Sequence, residues 1–331
     1  MAGNKRFRKK KLFIVLGTTL ILLFLIGTAI IYRELSKIRQ QEPSASVPPQ
    51  EEYFEPDEDG TDQSAVVDPG DVTWPSDVTP ISGMNIMNIL LIGQDRREGE
   101  PRERADSMIL VSFNKKDGTV KLISFLRDLY VQIPGYSDNR LNASYAFGGM
   151  ELLDKTIARN FGVQIGGNFE VDFDGFQQII DIMGGIDVDL SKAEAKYLNK
   201  NFRWKLSEGS NHLSGEQALA YARIRKLDSD FRRTERQRKI VMQAMSDMLK
   251  LSTAEKLGLL DSILPYLTTD LTKAEILGYA MTVLQAGVNG TESYSIPAEG
   301  TYRFASIRGM SVIVPDLKKN RESLNLYLYE E

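Results

Sequence analysis

Residues 12–32 read LFIVLGTTLILLFLIGTAIIY and contain no charged side chain. A helix of about 20 apolar residues, rising about 1.5 Å per residue, crosses the hydrocarbon core of a bilayer. This run therefore predicts a transmembrane helix. A cleaved signal peptide is the alternative, but the run is longer than the apolar part of a signal peptide, and no small-residue cleavage site follows it.

The charges on either side of this run predict its orientation. The residues before it include a cluster of basic side chains, namely Lys5, Arg6, Arg8, Lys9, Lys10 and Lys11. After it come Arg33, Lys37 and Arg39, and then an acidic stretch. By the positive-inside rule, residues 1–11 form a cytoplasmic stub, and a single pass through the cell membrane places the rest of the chain outside the cell.

Composition divides the remainder into a linker and a domain. Residues 41–80 are rich in Pro, Glu, Asp, Ser and Thr, which is typical of an extended, unfolded chain, and we expect residues 33–82 to form a disordered linker. Residues 83–331 then form the extracellular domain. The chain has no cysteine, which excludes disulfides and thiol nucleophiles, and its one histidine argues against a Ser-His-Asp triad or a His-rich zinc site. A net charge of -4 gives no reason to expect a nucleic-acid partner.

The domain alternates apolar β-type runs with helical patterns. Strands are predicted at 88–93, 108–113, 120–126, 186–190, 294–297 and 311–315, and helices at 150–162, 171–185, after the capping box at 214–217, from a cap at Asp230, and over 253–286. We expect Gly162 to close the first of these helices. Interleaved strands and helices predict a three-layer α/β/α domain with a central mixed sheet.

Polar residues follow two of the predicted strands. NILLIG runs into Asp95, and ISFL runs into Arg127 and Asp128. Open α/β sheets bind ligands beyond the carboxyl ends of their strands, and Asp106 joins this edge if the preceding loop folds back. Two carboxylates without histidine or cysteine suit Mg²⁺. The alternative, that Asp95 and Asp106 are ordinary turn or capping residues, stays open.

A run of arginines spans residues 223–239. Such a run is commonly a solvated basic face. The helix predicted to begin at Asp230 has an apolar stripe. Helical phase extends this stripe to Arg233, Arg236 and Gln237, which we therefore expect to face inward, whereas Arg232 and Arg238 lie off the stripe and are expected in solvent. Inward arginines near a helix N-terminus predict an anion site, and with a Mg²⁺ site they indicate phosphoryl chemistry.

These residues carry a resemblance to a known family. The blocks NILLIGQDRR, RADSMIL, ISFLRDLYVQIPG, RLNASYAFGG, VDFDGFQQIIDIMGGIDVDL, LSGEQALAYARIRK and DSDFRRTERQ follow one another in order. The set resembles the LytR-CpsA-Psr (LCP) family, found mainly in Gram-positive bacteria, over roughly residues 85–250. One departure is Leu126, which stands where the family more usually has a proline before the arginine.

The resemblance implies a function. Members of the family are phosphotransferases that take a glycopolymer, such as a teichoic acid or capsular polysaccharide, from a polyprenyl pyrophosphate carrier and attach it to the muramic acid C6 hydroxyl of peptidoglycan. It implies Mg²⁺ ligands at Asp95 and Asp106 and catalytic roles for Arg127, Asp128, Arg223 and Arg225. The implied pyrophosphate contacts are Arg104, Arg127, Arg223, Arg225, Arg233 and Gln237, to which helical phase adds Arg236.

The resemblance also implies an apolar tunnel for the lipid tail. Candidate wall residues are Phe173, Phe176, Ile179, Ile180 and Met183, although apolar residues on one helical face are more often ordinary core. Two other functions stay open at this point. One is a polyprenyl-pyrophosphate hydrolase, in which water replaces the sugar hydroxyl. The other is a non-catalytic lipid-binding or regulatory module of the envelope.

Overall fold

The computed structural model describes residues 32–41, 54, 65–75, 78, 83, 85–94 and 104–329. The strands are β1 Arg39–Gln40, β2 Ile86–Gln94, β3 Ala105–Asn114, β4 Thr119–Phe125, β5 Tyr130–Val131, β6 Asn139–Arg140, β7 Asn168–Asp172, β8 Ile186–Leu190, β9 Gly209–Leu213, β10 Thr268–Thr269, β11 Gly290–Ile296, β12 Tyr302–Ile307 and β13 Met310–Pro315. The helices are α1 Leu141–Phe161, α2 Phe173–Ile182, α3 Lys192–Phe202, α4 Gly215–Ala222, α5 Asp230–Lys250, α6 Thr253–Ile263, α7 Lys273–Ala286 and α8 Leu317–Tyr329. Short 3-10 turns cover Leu35–Lys37, Pro69–Asp71 and Leu264–Tyr266.

A mixed sheet forms the centre of the domain, as predicted. Its strand order is β1-β10-β7-β2-β3-β4-β11. The pairs β7/β2 and β4/β11 are parallel, whereas β2/β3 and β3/β4 are antiparallel. On one face, Leu90, Leu110 and Ile123 pack against α1 and α8. On the other face, Ile109 and Leu122 pack against side chains of α5 and α7, which completes three layers.

The first helix begins earlier than its pattern indicates. The sequence predicts a helix over 150–162, and α1 starts at Leu141 with a break in helical geometry at Gly148 and Gly149. The sequence pattern does not predict the amino-terminal turns of α1, because the two glycines interrupt the helical periodicity. The predicted stop is confirmed, since Gly162 has φ 76° and its N–H bonds to the Ala158 carbonyl.

The start of α5 differs from the prediction. Asp230 was expected to be the N-cap, but Ser229 occupies that position and Asp230 lies inside the first turn. The predicted capping box at Ser214 and Gln217 is confirmed at the start of α4. The side chain of Asp230 is thereby available for the arginines described below.

The linker prediction for residues 33–82 is wrong for two described segments, 33–41 and 65–75. Leu35 and Ile38 are buried against Leu264, and β1 pairs with β10 at the margin of the sheet. An exposed sheet margin accepts any extended backbone, so a polar segment with a few well-placed apolar residues can add a strand there. Composition alone does not reveal that pairing.

The second segment, residues 65–75, packs beside the β12–β13 hairpin. The Val67 N–H donates to the Ser306 carbonyl at 3.0 Å, and Val72 is buried in the same cluster. The ring of Trp74 lies 5.9 Å from that of Tyr130, measured between centroids. These apolar contacts order a segment whose composition predicts an unfolded chain.

The predicted membrane span, residues 12–32, lies outside the described residues except for Tyr32, as does the stub at 1–11. Within the described part of the chain, no helix is long and apolar enough to cross a membrane.

A buried carboxyl group gives the fold a pH dependence. Burial raises the pKa of Asp154 to about 7, assisted by the charge of Asp270 and opposed by a hydrogen bond from Asn168. The folded state therefore holds this proton more tightly than the unfolded chain. The stabilisation is complete below the unfolded pKa, near 4, and is lost as the pH rises through 7.

We expect Asp154→Asn to flatten the stability profile between about pH 4 and 7, where the wild type loses at most about 1.4 kcal/mol per pH unit from this group. Denaturant unfolding at a series of pH values measures it. Asp189→Asn, at an exposed position of β8, is the control and should keep the wild-type slope. An unchanged slope in Asp154→Asn would show that the carboxyl is ionised throughout.

Candidate active site

Several strands end at one edge of the sheet. Gln94, the last residue of β2, pairs with Ala105 of β3 and with Asp172 of β7. Ser124, near the end of β4, pairs with Ile109 of β3. The carboxyl ends of β2, β4 and β7 and the amino end of β3 therefore meet there. Asp106 and Arg127, predicted from the strand ends, lie at this edge, and Asp95 lies outside the described residues.

The backbone of the Arg127–Asp128 turn is fixed from several sides. The Leu126 N–H donates to the Ile296 carbonyl at 2.9 Å, a bond that proline could not make. The Asn142 N–H donates to the Arg127 carbonyl at 3.2 Å, and the Ile313 N–H donates to the Asp128 carbonyl at 2.9 Å. Leu126 therefore supports the turn through a hydrogen bond to β11.

The guanidinium of Arg127 lies among three carboxylates. Its Nη1 donates to Asp106 Oδ1 at 2.6 Å. Its Nε is 3.4 Å from Asp128 Oδ2 and 3.9 Å from Asp230 Oδ2. Burial alone would lower the pKa of Arg127, but the charges of Asp128, Asp106 and Asp230 outweigh it and raise that pKa. Arg127 thus remains a fixed positive charge at the sheet edge.

Asp128 is held by a second arginine. Arg140 Nε is 3.7 Å from Asp128 Oδ1, and the guanidinium of Arg140 also donates to the Ser311 carbonyl at 3.0 and 2.8 Å. Burial raises the pKa of Asp128, and the charge of Arg127 opposes that rise. Asp128 therefore joins the Arg127 turn to Arg140 in the β5–β6 hairpin.

Helix α5 supplies the next arginine, at the position that helical phase predicts. The side chain of Arg233 is only 4% exposed, and its Nη2 donates to Asp230 Oδ2 at 3.0 Å. Burial lowers the pKa of Arg233, and Asp230 partly restores it. Arg233 Nε and Gln237 Oε1 are buried without a hydrogen-bond partner among the residues described. Both atoms remain able to bind a ligand.

Arg223 and Arg225 lie on the turn that follows α4. The Arg223 guanidinium stacks 4.2 Å above the ring of Phe173, which directly follows β7 at the same sheet edge. Arg225 is exposed two residues further on. Arg104, half-buried, immediately precedes β3. Both arginines are exposed, and the contact with Phe173 places Arg223 at the edge.

Arg236 does not face the ligand side. Its Nε donates to Glu194 Oε1 at 2.7 Å, its Nη1 donates to the Ile224 carbonyl at 3.1 Å, and its Nη2 pairs with Asp228. The predicted direct pyrophosphate contact is therefore corrected. Arg236 faces inward, but the buried carboxylate of Glu194 and the exposed carboxylate of Asp228 already bind it, so it holds the turn that carries Arg223 and Arg225.

The two arginines expected in solvent differ from each other. Arg232 is 66% exposed in its side chain and pairs with Glu235, so its prediction is confirmed. Arg238 is only 6% exposed, so its prediction is wrong. Helix α5 packs both on the sheet and on β8 and α4, and a helix with two covered faces buries positions that lie off a single stripe.

The predicted lipid-wall residues on α2 separate into two groups. Ile180 is buried in a core cluster with β8, α3 and α4, and Phe176 packs against the same cluster, which matches the ordinary-core alternative. Phe173 lies under Arg223, and Ile179 and Met183 are half-buried. On α5 and α7, facing the sheet, lies a further set of partly buried apolar residues, namely Val241, Met242, Met245, Tyr279 and Val283.

The residues present are compatible with Mg²⁺. Mg²⁺ usually binds one or two carboxylates and completes its shell with water and phosphate oxygens. Asp106 supplies one such carboxylate at the sheet edge, next to Arg127. Among the described residues there is no group of three or more Asp, Glu or His side chains able to hold a metal on its own. Asp95, the other predicted ligand, lies outside the described residues.

Sequence reasoning missed Arg140 and the pairing role of Asp230. Arg140 contacts Ser311, 171 residues later in the chain, so no local pattern indicates it. Asp230 stands three residues before Arg233, a spacing that predicts a contact on a helix. The same position also fits an N-cap, so the sequence alone does not decide between a cap and an ion pair for Asp230.

The chain matches the model of the LytR_cpsA_psr family over residues 57–325. It belongs to that family. The family resemblance and the mixed α/β fold predicted from the sequence are thereby confirmed. Among its LytR_cpsA_psr relatives is the regulatory protein MsrR of Staphylococcus aureus strain COL, which is 30% identical over 67% of this chain and 68% of MsrR.

Another LytR_cpsA_psr relative is the polyisoprenyl-teichoic acid--peptidoglycan teichoic acid transferase TagU of Halalkalibacterium halodurans. It is 34% identical over 71% of this chain and 77% of TagU. The solved structure of YwtF (TagT) with bound octaprenyl pyrophosphate lipid has the same fold, with a TM-score of 0.58 and 24% identity over 76% of this chain and 93% of that one. These relatives support a transferase role for the family member described here.

The position of Arg236 generates a stability prediction. Arg236→Met leaves the buried carboxylate of Glu194 without its main partner, and loss of one member of a buried ion pair costs about 3–5 kcal/mol. We expect the free energy of unfolding, measured by denaturant titration, to fall by about that amount. Arg232→Met, on the exposed face of α5, should change it by less than about 0.5 kcal/mol.

A stable Arg236→Met protein that loses only lipid-pyrophosphate binding would contradict this assignment. It would instead restore the direct contact predicted from helical phase.

Proposed function

We propose that this protein transfers an anionic glycopolymer from a polyprenyl pyrophosphate carrier to the muramic acid C6 hydroxyl of peptidoglycan, forming a phosphodiester. The observation that carries the proposal is the sheet edge at which Arg127 lies among Asp106, Asp128 and Asp230, beside the buried Arg233. The printed names of TagU and of the lipid-bound TagT structure support a teichoic acid polymer and a lipid pyrophosphate as the substrates.

The arginines bind the pyrophosphate in this proposal. Guanidinium groups match phosphate oxygens bidentately and keep their charge when buried. Arg127 and Arg233 contact the diphosphate at the sheet edge, and Arg104, Arg223 and Arg225 approach it from the surrounding loops. Gln237 adds an amide. Asp128 and Asp230 position Arg127 and Arg233, so that the guanidiniums do not have to reorganise when charge develops.

The transfer step is a substitution at phosphorus. The oxygen of the acceptor hydroxyl forms a bond to the phosphorus that bears the glycopolymer. The bridging P–O bond to the lipid-side phosphate breaks, and its electron pair leaves with polyprenyl phosphate. The hydroxyl proton passes to a base or to solvent. Arg127, Arg223 and Arg225 stabilise the charge on the transferred phosphoryl group and act as catalytic residues.

Asp95 and Asp106 hold a Mg²⁺ ion in this proposal. Such an ion, when bound, neutralises phosphate charge and polarises a phosphoryl oxygen. Asp106 also keeps Arg127 in place through its 2.6 Å hydrogen bond. One carboxylate thereby serves both the metal and the arginine.

The lipid tail enters the layer between the sheet and α5 and α7. Val241, Met242, Met245, Tyr279 and Val283 line that layer and are only partly buried. Methionine adapts its shape to irregular apolar ligands. Phe173, Ile179 and Met183 form the part of the entrance next to Arg223.

Such a substrate requires a domain outside the cell and close to the membrane. We therefore retain the predicted anchor at residues 12–32, with residues 1–11 in the cytoplasm.

Protease added to intact protoplasts should digest the domain, and full protection of the domain would exclude this orientation.

Two alternative functions can be distinguished from the proposed transfer by the products that they form. A hydrolase would use the same arginines but release the phosphorylated glycopolymer to water. A regulatory lipid-binding module, which the name of MsrR suggests, would bind the lipid without turnover. The three carboxylates around Arg127 favour catalysis, because they fix the orientation of a guanidinium that can then stabilise charge developing in the transition state.

We expect the full-length protein in detergent to couple a lipid-linked glycopolymer to peptidoglycan fragments. Arg127→Ala should lower the rate by about ten- to a hundredfold, because a charge-assisted hydrogen bond contributes roughly 1.5–3 kcal/mol. Arg127→Lys should recover part of the rate, and Arg232→Ala should match the wild type. Mass analysis of the products with and without the acceptor measures all of these.

Phosphoglycan released at equal rates with and without acceptor would identify a hydrolase. Lipid binding without any turnover would identify the regulatory module.

Metal removal gives a separate test. We expect chelation to abolish transfer, added Mg²⁺ to restore it, and Asp95→Ala and Asp106→Ala each to raise the Mg²⁺ concentration required. Melting temperatures measured in parallel separate this effect from unfolding. Full activity of both variants in chelator would contradict the metal assignment.

A further inference from the structure

Arg238 is a buried charge that forms no hydrogen bond or ion pair with the described residues. It is 6% exposed, and its Nε and Nη1 have no hydrogen-bond partner among the described residues. The ion pairs of α5 show the contrast, since Arg232, Arg233 and Arg236 each contact at least one carboxylate. Arg238 follows Arg236 by two positions, yet Arg236 has acceptors for Nε, Nη1 and Nη2, whereas Arg238 has none among the described residues.

Burial of the Arg238 charge destabilises the folded protein when no ligand is bound. A guanidinium does not give up its proton in a protein, so burial leaves the full charge in place. Burial lowers the pKa of Arg238, and only the charge of Glu235, with a contribution from Tyr327, opposes that. A buried charge that lacks partners destabilises the fold unless a bound anion supplies them.

Helical geometry places Arg238 between the arginine site and the apolar layer. Val241, Met242 and Met245 follow it by three, four and seven residues, so they lie on the same face of α5 and pack against the sheet. Arg233 precedes it by five residues, a rise of about 7.5 Å. Arg238 therefore lies more than one turn further along α5 than Arg233, on the face of the helix that carries these apolar residues.

The opposite wall of this layer also carries an unpartnered polar atom. Ser124 Oγ is buried, and it has no hydrogen-bond partner in the described part of the chain. Ser124 alternates with Leu122 along β4, so both face the side of the sheet that α5 covers. Gln237 Oε1, next to Arg238 on the helix, is unpartnered as well. Polar groups thus occur on both walls before the layer becomes apolar.

We propose that Arg238 binds the lipid-side phosphate of the carrier, the one esterified to the polyisoprenyl chain. The inference rests on the proposed function, because it takes the neighbouring site to bind a lipid pyrophosphate. In such a ligand the lipid-side phosphate lies between the phosphate that bears the glycopolymer and the tail. Arg238 lies between the arginines that bind the glycopolymer-bearing phosphate and the apolar residues that contact the lipid tail.

The experiment measures affinity and stability together. Full-length protein in detergent is titrated with polyprenyl pyrophosphate and with polyprenyl monophosphate, and its melting temperature is measured without lipid. We expect Arg238→Met to weaken the binding of both lipids by about ten- to a hundredfold. We expect its melting temperature without lipid to equal or exceed that of the wild type, because a volume-conserving apolar side chain replaces an unpaired charge.

Three further variants sharpen the result. Arg232→Met, on the exposed face of the same helix, should leave both affinities and the melting temperature unchanged. Arg238→Lys should recover part of the lost affinity, because it keeps the charge but lacks the fork. Arg127→Met should weaken the pyrophosphate more than the monophosphate, because it contacts the other phosphate.

The outcomes separate this inference from the proposed function. If the wild type binds neither lipid, the proposed function fails. If the wild type binds and Arg238→Met binds equally well, the inference fails alone. A lower melting temperature in Arg238→Met would mean that the guanidinium is paired in the free protein, which also overturns the inference. Weaker binding of the pyrophosphate only would overturn the assignment to the lipid-side phosphate.

Discussion

The ion-pair cluster around Arg127 is the interaction on which the site depends. Asp106 comes from β3, Asp128 from the turn after β4, and Asp230 from α5, so one guanidinium joins the sheet edge to the helix. Because the carboxylates hold Arg127 at its full charge, an incoming phosphate meets a donor that is already oriented. Arg140 and Arg233 each bind one of these carboxylates from outside, which extends the same network.

Much of this arrangement could be predicted from the sequence. Short apolar runs predict β2, β3 and β4 of the central sheet. The polar residues after β4 place Arg127 at the sheet edge, and Asp106 joins it if the preceding loop folds back. Helical phase placed Arg233 and Gln237 correctly on the inner face of α5. Helical phase predicts that a side chain faces inward, but it does not identify the residue that this side chain contacts. Arg236 therefore looked like a ligand residue, although Glu194, 42 residues earlier in the chain, binds it.

The remaining errors also come from partners that are distant in sequence. Arg238 was assigned to solvent because a single apolar stripe was assumed, whereas α5 is covered by the sheet on one side and by β8 and α4 on another. Residues 33–41 fall in the predicted linker, yet Arg39 and Gln40 pair with β10. In both places the decisive contact is with residues that are distant in sequence, so local composition cannot predict it.

A structure of the full-length protein with bound polyprenyl pyrophosphate would show whether the Arg127 cluster binds the substrate. We expect phosphate oxygens within hydrogen-bond distance of the guanidiniums of Arg127 and Arg233, at the edge formed by β2, β3 and β4, with the isoprenoid chain between the sheet and α5. A pyrophosphate bound elsewhere, with no phosphate oxygen near Arg127 or Arg233, would contradict it.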